Sequence, residues 1–193
     1  DIFWPFWFTD TPITDNYDTV ETSLARAGHL NRASNRLGDL ERKLGNRDAA
    51  RSYYERALTA FGKAGDRRAV ARTKVDFAGL VFEHGNPKEA KAMLEDALLT
   101  FRELGNRRGI ARALEEFAEF AASQGESDRA RRLSGAAGAI MHSIGAAAQR
   151  DSLTPLKNLD SARQILGGAA LDAEMNGWAM TMDDAIGLAL AGK

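Results

Sequence analysis

Along residues 90–104 the apolar positions fall at Ala90, Met93, Leu94, Ala97, Leu98, Phe101 and Leu104. Those are steps of three and four, which draw one apolar stripe down an α-helix. Forty residues earlier the stripe reads Ala50, Tyr53, Tyr54, Ala57, Leu58, Phe61 and Ala64. Forty residues later it reads Ala130, Leu133, Ser134, Ala137, Gly138, Met141 and Ile144. A pattern that returns at a fixed spacing of this size predicts a repeat architecture. The helix before each stripe aligns in the same way. Leu37-Gly38, Phe77-Ala78 and Phe117-Ala118 occupy equivalent places.

The punctuation agrees with the stripes. Gly45-Asn46, Gly85-Asn86-Pro87 and Gly125-Glu126-Ser127 predict tight turns inside three helix pairs. Gly65-Asp66 and Gly105-Asn106 predict the junctions between pairs. Glycine ends a helix in the left-handed conformation without steric cost. Asn or Ser then caps the next helix, and proline is tolerated in a first turn. The predicted pairs cover roughly 28–65, 68–105 and 108–145. Small residues at Gly38, Ala78 and Ala118 let the two helices of a pair approach closely. Ala50, Ala90 and Ala130, with Ala57, Ala97 and Ala137, serve the neighbouring contacts.

The flanks differ. Residues 1–16 carry Ile2, Phe3, Trp4, Phe6, Trp7 and Phe8, and Pro5 and Pro12 exclude a continuous helix. So apolar a stretch is an aggregation hazard when exposed. It reads as a plug on the open end of the stack, or else as a tethered ligand that occupies the groove or a strand shared with another copy. Residues 17–27, YDTVETSLARA, read as a partial or capping helix. Residues 146–193 read as a helical cap. One helix starts at Thr154-Pro155 and runs to about Leu166, where Gly167-Gly168 breaks it. A second spans Ala169–Asn176 with Gly177 as its stop. A third is capped by Thr181, with Asp184 placed for a capping box, and ends at Leu190.

A large apolar residue followed by Gly or Ala, then Ala, a bulky residue and Ala, resembles the tetratricopeptide repeat. Here those positions are Leu37, Gly38, Ala50, Tyr54 and Ala57, then Phe77, Ala78, Ala90, Leu94 and Ala97. The third pair departs at Ser134, where the family prefers a bulky residue. The longer period, with LGNRRGIARALEEFAEFAASQG and the ending GWAMTMDDAIGLAL, resembles the C-terminal repeats of LuxR-type and related bacterial signal-transduction ATPases. The resemblance covers about 28–193. It implies an all-α fold, a right-handed superhelical solenoid of antiparallel helix pairs with a C-terminal helical cap. It also implies a non-enzymatic interaction or sensor module in a signalling or transcriptional regulator. A free-standing peptide-binding adaptor and an oligomerisation element using the aromatic segment are the alternatives.

In that family the first helices line the concave groove. Carried onto this chain, the groove positions are Arg32, Asn35, Asp39 and Arg42, then Arg72, Val75, Gly79 and Phe82, then Arg112, Glu115, Glu119 and Ala122. Arg32, Arg72 and Arg112 form a ladder, and guanidinium forks match carboxylates two bonds at a time. The implied partner is a protein or peptide segment with acidic groups, with Phe82 and Val75 as its apolar contact. The competing reading pairs Arg72 with Asp76 and Arg112 with Glu116 along their own helices.

Charge and composition narrow the remaining classes. A net charge of -1 argues against a general nucleic-acid binder. With no cysteine there is no disulfide framework, which fits a cytoplasmic protein. No apolar run has the length of a membrane span. The first eight residues lack the basic leader of a signal peptide. The opening Asp1 suggests a piece of a longer or processed protein. No phosphate-binding loop and no G-x-S-x-G turn occurs. His29, His84 and His142 stand far apart without ligand-like neighbours, so no metal is expected. Glu115 and Glu119, one turn apart on a polar face, read as solvated charge. No cofactor and no catalysis is expected.

Overall fold

The computed structural model describes residues 32–146 and 157–191. The aromatic segment 1–16, the capping helix expected at 17–27 and the helix start expected at Thr154-Pro155 lie outside those residues.

The described chain is all-helical. We number its helices α1 (residues 32–43), α2 (Arg47–Lys63), α3 (Arg67–Glu83), α4 (Pro87–Glu103), α5 (Arg107–Ser123), α6 (Ser127–Ser143), α7 (Lys157–Leu166), α8 (Ala169–Trp178) and α9 (Met182–Leu190). Each of α2 to α6 is 17 residues long. The turns between them are equally regular. Gly45, Gly65, Gly85, Gly105, Gly125 and Gly145 all hold φ between 60° and 79°. This is the region where a side chain is strained and glycine is not.

The caps are less uniform than the turns. Asp66, Asn86 and Asn106 each accept from a backbone N–H in the first turn of the following helix. Asn46 does not; its amide donates instead to Glu41 at 2.7 Å. The serine expected as a cap is also displaced. Ser127 is the first residue of α6, Glu126 holds the cap position, and no side chain caps that helix.

From α2 to α8 each helix packs on the next in the chain, and α8 and α9 both lie against α6; α3 also touches α5 while α5 touches α7. That next-but-one contact aligns the first helices of successive pairs, which makes a tetratricopeptide-like solenoid. The small residues sit where the stripes put them. Ala50, Ala57, Ala90, Ala97, Ala130 and Ala137 have no exposed surface. A side chain at Gly38 would meet the Tyr54 ring at 2.8 Å, so the glycine makes room for the tyrosine of its own pair. Tyr54 in turn stacks on Phe77 of the next pair, with ring centroids 5.4 Å apart. In the third pair Leu133 fills the core and Ser134 is half-buried.

The C-terminal helices close the far end. Thr181 caps α9 as expected, accepting from the Asp184 N–H. Gly177 is not a stop: α8 runs through it to Trp178. Its role is a close approach. A methyl group at Gly177 would overlap the Arg132 carbonyl of α6, and one at Gly135 would overlap the Glu174 carbonyl of α8. The two backbones meet at these paired glycines. Two further ties fix the cap. The Glu119 carboxylate accepts from the Asn158 and Leu159 N–H groups at 2.9 and 3.0 Å, at the start of α7. The Arg129 guanidinium donates to the carbonyls of Leu188 and Ala189 at the end of α9. Both complement the helix dipole as well as its open backbone groups.

Candidate interaction surface

The inner stripe runs along α1, α3 and α5. Its centre is Asp76, whose side chain is 2% exposed. One oxygen accepts from the Asn35 amide of α1 at 2.7 Å. The other accepts from the Arg112 guanidinium of α5 at 2.5 Å. A single carboxylate therefore joins all three pairs. Burial opposes the charge of Arg112, but Asp76 and Glu116 hold it above its usual range.

A second cross-link lies further along the helices. Arg42 of α1 reaches over Gly79 of α3 to Glu83, donating from Nε at 3.0 Å and from a terminal nitrogen at 2.7 Å. Gly79 is what opens this route: a Cβ there would stand 2.5 Å from the guanidinium. Burial works against the Arg42 charge as well, and Glu83 more than compensates. Tyr54 donates to Asp39 at 2.6 Å. Burial, and next the charge of Asp76, raises Asp39, while the tyrosine bond opposes the rise. Glu116 is pushed up to about 7, mainly by burial and against the pull of Arg42 and Arg112.

The predicted groove residues divide on this geometry. Val75 has no exposed surface and belongs to the core, so it offers a partner no contact area. Asn35 is likewise buried and committed to Asp76. The arginine ladder is not a set of equals. Arg32 and Arg72 are exposed, whereas Arg112 is half-buried and bonded to Asp76. The pairing expected along the helix between Arg72 and Asp76 is replaced by this link between units. Among the described residues Arg72 is bonded to none. Phe82 and Glu115 are half-buried, and the Phe82 ring meets Phe120 at 5.3 Å, tilted by 58°. Glu119 is turned to the start of α7.

Sequence reasoning missed Asp76 and Glu116 as parts of the site and Phe120 as the partner of Phe82. A signal for the first was present. Asp76 interrupts an otherwise apolar run, Val75-Asp76-Phe77-Ala78, and a charge there needs a partner. Among the described residues no cluster of His, Asp and Glu is arranged to hold a metal ion. No described helix is long and apolar enough to cross a membrane.

An array of antiparallel helix pairs stitched by charge along the inner stripe defines a helical-repeat scaffold. Residues 29–103 match the tetratricopeptide repeat family model, a span that runs to the end of α4 and supports a tetratricopeptide-repeat domain there. No curated protein and no solved structure matches the chain. Tetratricopeptide repeats generally mediate protein–protein interaction and are typically non-catalytic.

Proposed function

We propose that the inner stripe of α1, α3 and α5 receives an extended segment of a partner protein that carries an acidic group. The observation that carries this reading is the contrast along α3. Asp76 and Glu83 are used up in cross-links, while Arg72 is exposed and bonded to no described residue. Ten residues further on, the half-buried Phe82–Phe120 pair supplies an apolar foothold. At 1.5 Å per residue the two features stand about 15 Å apart. An extended ligand covers that span in about four or five residues. The ligand is thus an acidic group followed or preceded, at that distance, by a large apolar side chain. The cross-links between units hold the surface in shape before the ligand arrives, which lowers the ordering cost of binding.

The module is non-enzymatic and cytoplasmic, without direct nucleic-acid contact. Its setting is the C-terminal region of a bacterial signalling or transcriptional regulator, where partner occupancy biases the state of an upstream ATPase. The repeat spacing of forty and the C-terminal ending support that setting. The test is selection from a random peptide library on the immobilised chain, followed by titration of the selected peptides. Arg72→Ala and Phe82→Ala weaken them at least tenfold, and Lys88→Ala on exposed α4 surface leaves them unchanged. Equal affinity for all four proteins rules the surface out.

A further inference from the structure

Helix α1 leaves Leu37 and Leu40 exposed, whereas the residues at the equivalent positions of the second unit are buried. Leu37, Leu40 and Leu44 of the α1 segment are 38%, 50% and 64% exposed. The positions equivalent to Leu37 and Leu40 in the second unit are Phe77 and Leu80, which are 3% and 2% exposed. In the third unit Phe117, equivalent to Leu37, is 1% exposed and Phe120, equivalent to Leu40, is half-buried, while His84 and Gln124, equivalent to Leu44, are exposed like it. The preceding pair supplies the cover in the second unit, where Tyr54 of α2 stacks on Phe77; no described helix precedes α1. Among the described residues this leucine strip is a stacking face without a neighbouring helix. At 100° per residue it lies on the opposite side of α1 from Asn35, Asp39 and Arg42. It is therefore separate from the inner stripe, and its occupant is independent of the partner proposed above.

We propose that residues 2–8 of the same chain cover this strip. Within 2–8, only Pro5 is not a large apolar residue, and the segment carries no charge. Residues 17–27, the other upstream candidate, include Asp18, Glu21 and Arg26. The charges at the edges are complementary too. Asp1 and Asp10 bracket the aromatic segment, and exposed Arg36 and Lys43 flank the leucines along one side of α1. Reach is no obstacle. The 23 residues from 9 to 31 span up to about 75 Å extended, and about 35 Å even as helix. The strip from Leu37 to Leu44 is about 10 Å long. A tether of that length holds the segment at millimolar effective concentration, so cis occupancy outcompetes a second copy at ordinary protein concentrations.

The chain has no cysteine and three tryptophans, two of them Trp4 and Trp7, which makes the test direct. A bimane fluorophore on Lys43→Cys, in a Trp178→Phe background, reports tryptophan within contact distance through quenching. The expected result is a label at least twofold dimmer than in the same protein carrying Trp4→Phe and Trp7→Phe. That difference is independent of dilution and absent for a label on Lys88→Cys. Leu37→Glu with Leu40→Glu restores the brightness, with helicity by circular dichroism as the check on folding; the first comparison stands without this variant. Equal brightness with and without Trp4 and Trp7 overturns the proposal. Quenching that fades on dilution, or that passes to a Trp4→Phe, Trp7→Phe labelled chain on mixing with unlabelled protein, also overturns it, because a second copy then supplies the segment.

Discussion

Asp76 shows how much of this surface rests on single residues. Its carboxylate is buried, and it holds Asn35 from one side and Arg112 from the other. Removing one partner of a buried ion pair costs more than the pair itself contributes, because the remaining charge stays in low dielectric. Arg112→Met is expected to destabilise the chain by about 3 kcal/mol, at the low end of the usual range because the guanidinium keeps some exposure. Urea denaturation measures it. Glu116 gives the complementary case. Its folded-state value of about 7 stands above the ordinary 4.5. The folded chain binds its proton more tightly than the unfolded chain, so stability falls as pH rises from about 4.5 through about 7. Glu116→Gln keeps the neutral shape and removes that fall. The melting midpoint of the variant exceeds the parent's by roughly 7–14 °C at pH 8, and the two converge near pH 4.5. These residues were hard to read in the sequence for a physical reason. Helical spacing shows which residues share one helix face, as with Arg72 and Asp76. It does not show which guanidinium from another unit competes for the same carboxylate.

At the scale of elements, most of the fold was legible. Left-handed glycine is a local property, and Gly45, Gly65, Gly85, Gly105 and Gly125 mark the helix ends without any tertiary information. The apolar stripes place Ala50, Ala90 and Ala130 in the core for the same reason. Gly177 was misread because the same residue type serves two ends. A glycine either stops a helix or lets two helices touch, and only the presence of Gly135 on a facing helix distinguishes the cases. Gly177→Ala separates them by experiment. As a helix stop it would tolerate no side chain without backbone strain, and α8 would shorten. As a contact point it gains helix propensity but forces the α6 and α8 backbones apart. The expected cost is about 1–3 kcal/mol, with α8 losing amide protection while α3 and α4 keep theirs. Native-state hydrogen exchange reads both outcomes.

At the scale of the whole molecule, the three pairs and the cap form one chain of neighbour contacts, stitched along the inside by charge. Asn35–Asp76–Arg112 and Arg42–Glu83 tie the pairs, and Glu119 and Arg129 tie the cap. The candidate site was only partly legible because its lining depends on this stitching. Arg72 and Phe82 remain available to a ligand; Asn35, Val75 and Arg112 are drawn into the structure that holds them in place. The most direct test is hydrogen exchange of the full chain with and without a peptide selected on it. Protection is predicted on α1, α3 and α5, strongest around Arg72 and Phe82, with α2 and α4 unchanged. Protection confined to α2 and α4, or to α8 and α9, would contradict the account.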